Sequence, residues 1–348
     1  MTRKLAISAI AILAALALVP LVMGDFYINI SSQILTYALF AVSLNLIVGY
    51  GGMVSLGHAA YFGIAAYAVT WLVTIGGMGQ LSAAICAVLI ATVTAALFGV
   101  LALRASGLSF LMITLALGQI VWGVAYRWVG LTQGDNGMRF PVRPEPFGVS
   151  INSATSFYYF SLIVFAVAVY IIWRMVNSPF GAALRGTRDQ PRRMTMLGHN
   201  VWMVRWAAFV MSGFWAAIAG LMFVYYQKFV SPYTVSLQQS AEVLLMTILG
   251  GASTLTGPMV GAVIVTLVKN VASTYVERWN ALLGLIFVLA VVFMPTGIVP
   301  GVRSLFNRLT RGAPPVAGTA PPAASPAVPS LAEPVPAAPA IPATERAS

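Results

Sequence analysis

The chain has 348 residues, of which 59% are hydrophobic and 8% charged, with a mean hydropathy of +0.89. A soluble domain carries roughly 25% charged residues, so a water-facing multidomain enzyme is excluded, and the apolar content suits about ten membrane helices of roughly 20 residues each. The net charge of +11 is therefore read against membrane topology, in which Lys and Arg gather on the cytoplasmic side, and not as a nucleic-acid footprint.

In chain order, apolar runs between polar or Gly/Pro breaks predict an all-α, polytopic integral membrane protein with about ten transmembrane helices. The first half holds runs near 5–23, 33–49, 54–75, 81–103 and 108–127, and the second holds runs near 157–175, 206–226, 237–250, 258–276 and 280–299. Arg3 and Lys4 ahead of the first run resemble the start of a secretory signal. That run is long and no small-x-small pattern closes it, so it is read as an uncleaved span. The run at 237–250 is short for a span.

Glycine interrupts the apolar pattern twice. The first break runs from Gly49 through Gly51, Gly52, Ser55, Gly57 and His58 to Gly63, with Asn45 just before it. The second runs from Leu249 through Gly250, Gly251, Ser253, Gly257 and Pro258 to Gly261. Irregular backbone at membrane depth survives where protein covers it or where it lines a wet cavity. Paired glycine-broken segments point to a transport site between internal repeats, and the alternative is that small residues merely let helices pack closely. Ten spans split five and five make two inverted halves, because each half has an odd number. Asn45, Ser55, Gly57, His58, Glu242, Gly250, Gly251 and Gly257 are candidate translocation-path residues, with structural hydrogen bonding as the competing role for Asn45, Ser55 and His58.

Between the halves lies a basic loop, 177–200. Pro191 suits a first helical position and Gly198 a left-handed stop, which predicts a short helix. Met194 and Leu197 fall three apart on it, beside Arg188, Asp189, Arg192 and Arg193. Such a stripe is a candidate docking knob for a soluble partner; the alternative is an ordinary basic loop obeying membrane topology. Further on, Glu242 sits inside an apolar run, and an intramembrane carboxylate is a functional candidate unless it reaches water at a span end. Lys269 is read as a snorkelling or loop-facing lysine.

Rare residues close other doors. Cys86 stands alone, so no intrachain disulfide or cysteine zinc site forms, and His58 and His199 are too few and too distant for a metal centre. Lys4, Lys228 and Lys269 lack the Gly-rich lead-in of a phosphate-binding loop. No paired carboxylates, dihistidine motif or Ser/His/Asp set suggests an intramembrane enzyme. The chain is therefore expected to bind no metal and no cofactor of its own, and not to hydrolyse nucleotide.

The cations set the orientation. Arg174, Arg185, Arg188, Arg192, Arg193 and Arg205 mark segment 174–205 as cytoplasmic, and alternation places Arg3, Lys4, Arg104, Arg303, Arg308 and Arg311 on the same side. The other side receives Arg127, Arg139, Arg143, Lys228 and Arg278, partly offset by acids. Both termini are then cytoplasmic, which requires an even number of spans. Residues 1–311 form the expected transmembrane domain. Residues 312–348 hold ten of the chain's twenty prolines among Ala and Ser, and predict a disordered cytoplasmic tail.

Five blocks now carry a resemblance: YALFAVSLNLIVGYGGMVSLGHAAYFGIAAY at 37–67, LTQGDNGM at 131–138, SPFGAALRGTRDQPRRMTMLGHN at 178–200, SAEVLLMTILGGASTLTGPMVGAV at 240–263 and MPTGIV at 294–299. In this order they resemble the permease subunits of branched-chain amino-acid ABC importers, of the LivM-like type, over nearly all of the chain up to about residue 300. The resemblance implies an ATP-driven importer in the inner membrane: two related but different permeases, two ABC ATPase subunits that carry the ATP, and a periplasmic solute-binding protein. It implies that segment 188–198 is the coupling helix seated on an ATPase, with Gly198 on the family's nearly fixed glycine. The chain departs from the family at Pro191, where Glu is common, at Arg193 and Met194, where small residues are common, and at Ser253, often Gly.

The expected function is thus import of a branched-chain amino acid or a similar small solute, such as another amino acid, urea or a short amide, among which the polar residues do not discriminate. The rival is a self-sufficient secondary transporter driven by an ion gradient, with Glu242 as its coupling proton site.

Overall fold

A computed structural model describes residues 15–140 apart from 22, residues 152–275 apart from 253, and positions 281, 284, 285, 288 and 297–301. The expected tail at 312–348, most of the last span near 280–299 and much of the first near 5–23 lie outside the described residues.

The described fold is helical. Helix α1, Asp25–Asn45, continues into a π-helical turn, Leu46–Tyr50, and an irregular stretch at 51–58 leads to α2, Ala59–Thr74. Next come α3, Gln80–Ala102, and α4, Leu108–Arg127. The short α5, Val129–Thr132, precedes a two-residue strand β1, Met138–Arg139. Helix α6, Ala154–Val176, leads to the loop helices α7, Pro179–Asp189, and α8, Pro191–Met196. Helix α9, Val201–Gln227, ends at β2, Phe229–Val230, which pairs antiparallel with β1. Helices α10, Leu237–Gly250, and α11, Gly257–Tyr275, follow.

Among the described residues, five helices are long and apolar enough to cross a membrane, and two shorter apolar helices, Ala59–Thr74 and Gly257–Ala272, follow the two breaks. Helix α10 has 14 residues, about 21 Å of rise, short of a hydrocarbon core of about 30 Å. Helix α9, with 27 residues and about 40 Å of rise, separates the α7–α8 end of the bundle from the β1–β2 end.

Helix α1 is the central post. Leu39, Phe40, Ala41, Val42 and Leu44, with Leu46 and Ile47 of the π turn, are fully buried, packed by α6, α9, α10 and α11 and by Phe62 of α2. It begins at Asp25 and not near 33, because the polar letters that suggested a break are satisfied inside the helix. Ser32 Oγ donates to the Ile28 carbonyl and Thr36 Oγ1 to the Ser32 carbonyl, each at 3.0 Å. Helix α3 shows the opposite pattern. Its buried positions are Ala83, Ala87, Ala91, Ala95, Gly99 and Ala102, while Leu81, Ile85, Leu89, Val93, Leu97 and Leu101 are exposed. Small residues at every fourth position let α3 lie close to α2 and α9, and the large ones suit lipid.

Candidate functional site

The two breaks meet. In the first, Gly51 N–H reaches back to the Leu46 carbonyl at 3.1 Å and Met53 N–H to Ile47 at 2.8 Å. Met53 is the donor that an unbroken helix would aim at Gly49, so the widened turn leaves the Gly49 carbonyl to find another partner. Asn45 Nδ2, one turn earlier, donates across to the Thr254 carbonyl of the second break at 2.9 Å. Gly49 itself lies so close to Ala252 that a side chain there would overlap the Ala252 carbonyl. Residues 209 apart in sequence thus form one junction.

Asn45, Ser55 and His58 are fully buried. Ser55 Oγ accepts from Gly57 N–H at 3.4 Å, and Gly57 rests against the Thr114 carbonyl of α4. His58 Nε2 lies 2.9 Å from Ser43 Oγ, and its ring stacks on Phe40 with centroids 5.5 Å apart. The first amide of α2, Ala59 N–H, donates to Ser240 Oγ of α10 at 3.1 Å, so a second-half side chain caps a first-half helix. Thr247 Oγ1 of the same α10 bonds the Ala41 carbonyl of α1 at 3.3 Å, and Ser212 Oγ of α9 bonds the Ser43 carbonyl at 2.6 Å. Ser240→Ala removes the cap and is expected to cost about 1 kcal/mol of stability, readable as a lower melting temperature in detergent.

In the second break, Gly250, Gly257 and Gly261 bring α10 and α11 together backbone to backbone, and Gly251 takes a positive φ of 112°. About two turns from Gly250 and Gly261 along this antiparallel pair, Lys269 Nζ donates to both carboxylate oxygens of Glu242, at 2.9 and 3.0 Å. The Glu242 side chain is 3% exposed and that of Lys269 19%. Tyr37 of α1 presents its ring 5.8 Å from the ammonium. Lys269 is therefore an interior ion-pair partner, not a snorkelling or loop-facing lysine. It was missed because a cation in an amphipathic-looking run reads as a surface residue, although an acid and a base in neighbouring apolar runs were the available clue.

The loop between the halves holds two helices. Pro191 has no amide and its ring restricts Gln190, which stands at φ −146°, ψ 80°, so the helix breaks there. Arg188 and Asp189 consequently belong to α7, and the helix expected over 188–198 is α8, Pro191–Met196. Gly198, at φ +83°, closes α8: its N–H bonds the Thr195 carbonyl and His199 N–H the Met194 carbonyl, both at 3.0 Å, the paired bonds of a glycine C-cap. Arg192 and Arg193 are exposed. Met194 turns back against Gly186 of α7, so the exposed apolar face consists of Met196 and Leu197, 87% and 68% exposed. The expected Met194–Leu197 stripe shifts because Met194 fills the gap over a glycine. Arg185 Nη1 donates to the Val176 carbonyl at 2.9 Å and Arg205 Nη2 to the Thr187 carbonyl at 2.8 Å, fastening α7 to α6 and α9. Arg188 points the other way and donates from Nη1 to the Gly49 carbonyl.

At the β1–β2 end, a cleft of about 650 Å³ is lined by Thr74, Ile75, Gln133, Asn136, Gly137, Met138, Arg139 and Phe229. No group of three metal-ligating side chains occurs among the described residues.

Residues 26–292 match the family described as the permease component of the branched-chain amino acid transport system. The chain is 25% identical over 324 residues to the high-affinity branched-chain amino acid transport system permease protein LivM of Salmonella typhimurium, covering 86% of this chain and 76% of that one. It is 24% identical over 325 residues to the LivM protein of Escherichia coli, covering 87% and 76%. It is also similar to the LivH permease protein of Escherichia coli, 25% identical over 298 residues, covering 76% of this chain and 91% of the relative. No solved structure matches the chain.

Proposed function

This chain belongs to the family of branched-chain amino acid transport permeases, and on that premise we propose that it moves a branched-chain amino acid or similar small solute inward as one of two related permeases in an ATP-driven complex. Its likeness to both LivM and LivH, two permease proteins, supports a second, different permease beside it. Two ABC ATPases would dock beneath and a periplasmic binding protein would deliver the solute. The excess of arginine in the 174–205 loop supports a cytoplasmic side for α7 and α8 and, by alternation, for both termini, with the spans in the inner membrane.

One observation carries the reading: a family match over 26–292 on a fold whose loop presents exposed Met196 and Leu197 from a short, doubly terminated helix. Such a knob suits a hydrophobic groove on a soluble partner. A secondary transporter using Glu242 as its proton site is disfavoured, because Lys269 occupies both carboxylate oxygens.

The tagged chain, purified from its native membrane in mild detergent, is expected to bring down a P-loop ATPase and a second permease; purification alone would overturn the proposal. Within the assembled complex, Gly198→Glu is expected to abolish solute-stimulated ATP hydrolysis without lowering membrane insertion. The left-handed φ of 83° disfavours any side chain there, and the new charge would project into open space at the exposed end of α8. Unchanged solute uptake in that variant would remove the loop from the mechanism.

A further inference from the structure

We infer that Arg188 is the latch that holds the Leu46–Tyr50 turn in its π form and passes movement of the α7–α8 loop to both broken segments. The inference deepens the proposed function, on which its coupling half rests.

Three observations locate the latch. First, Arg188 Nη1 donates to the Gly49 carbonyl, the acceptor that the π turn releases when Met53 N–H bonds Ile47 at 2.8 Å instead. Second, the stem of Arg188 lies across Gly52, where φ is +68° and an added Cβ would fall 2.8 Å from Arg188 Cγ. The arginine is thus seated by an acceptor and by a glycine floor, both from the first break. Third, Gly49 also abuts the Ala252 carbonyl, while Asn45 holds the Thr254 carbonyl at 2.9 Å. A shift of Gly49 has to displace Ala252 and Thr254 as well.

The chemistry gives two states. With the guanidinium in place, the Gly49 carbonyl is satisfied from outside the helix and the extra residue of the π turn is retained. Withdraw the guanidinium, and a buried carbonyl is left without a donor, a costly condition. The nearest remedy is for Met53 N–H to return to Gly49, which converts the turn to α-helical spacing and drags residues 51–58 with it. Single π turns of this kind are known to mark functional sites in helices. Arg188 is well placed to be withdrawn, because it closes α7, and α7 packs on α8 through Met194 and Gly186. Its side chain is 44% exposed and its Nε lies 3.6 Å from Asp189, so solvent and a carboxylate stand ready to receive it. Arg188 is therefore a positioning residue: it touches backbone at the junction, not solute.

The test uses Arg188→Gln and Arg188→Lys in the full chain. In the purified chain, hydrogen–deuterium exchange within amides 51–57 is expected to change at least ten-fold from wild type in R188Q and less in R188K, with α3 and α4 unchanged. In the complete complex in liposomes, the number of solute molecules moved per ATP hydrolysed is expected to fall at least ten-fold in R188Q and to recover in part in R188K. Wild-type exchange in R188Q overturns the latch. An unchanged transport ratio, or a parallel loss of uptake and hydrolysis, overturns its coupling role, since a residue that only seats the ATPase would lower both together. If R188Q fails to accumulate, R188K is read in the same two assays, and wild-type values in both overturn the inference. The exchange measurement needs no ATPase, so failure of the latch and failure of the transport reading are separable.

Discussion

Lys269→Met is expected to destabilise the protein by about 3–5 kcal/mol, the usual consequence of removing one partner from a buried ion pair. Glu242 is buried in α10 with its carboxylate held at 2.9 and 3.0 Å by Lys269, and methionine would leave that charge without its partner. Thermal unfolding in detergent, followed by size-exclusion profile, reads the loss directly. Glu242→Gln combined with Lys269→Met should recover most of it, because removing both charges also removes the need to desolvate them. If the double variant is less stable than either single one, the two residues act independently and the pair is not what joins α10 to α11 here. Arginine at 269 is expected to be a poor substitute, since a planar fork beside the Tyr37 ring cannot reproduce a point donor serving both oxygens.

Much of the fold was legible from the sequence because the bilayer makes hydropathy a strict constraint. The short run at 237–250 coincides with α10, and the glycine clusters at 49–63 and 249–261 are the places where helices stop and restart. What sequence pattern obscured was the satisfaction of polar groups within helices. The polar residues just before 33 looked like a boundary, but Ser32, like Thr36 inside the run, donates its hydroxyl to its own helix, and α1 begins earlier, at Asp25. The mate of Glu242 was obscured for a different reason. It lies 27 residues away across a break whose geometry sets the register of α11 against α10, and register is not written in hydropathy.

Arg188 shows a third kind of blindness. In a loop rich in arginine, composition assigns every cation to the same topological duty. Its neighbours Arg185 and Arg205 serve the local scaffold, bonding the carbonyls of Val176 and Thr187. Arg188, on the same helix as Arg185, crosses to Gly49. Only the helical phase of α7, broken at Gln190 by Pro191, separates these roles. Pro191 therefore has a physical consequence: it ends α7 just past Arg188 and sets the angle at which α8 leaves.

The same substitution, Gly to Ala, is expected to act with opposite signs at Gly250 and at Gly123. Gly123 lies within α4, where nothing approaches the position of an added Cβ within 4 Å. Alanine there gains helix propensity and is expected to stabilise by about 0.5–1 kcal/mol. At Gly250 the added Cβ would overlap the Gly257 carbonyl, a backbone group that no rotamer change moves, while Gly261 packs equally close to the Met246 carbonyl one turn away. Accommodating one methyl therefore requires α10 and α11 to part along the whole crossing. Overpacking of this kind costs about 1–3 kcal/mol, and parting the helices also stretches the Glu242–Lys269 contact further along the pair. Gly250→Ala is thus expected to melt lower than wild type by more than Gly123→Ala melts higher, and to lose uptake in step with stability. If Gly250→Ala melts with wild type yet loses uptake, the glycine serves movement at the break and not the crossing, which would return Gly250 to the translocation path.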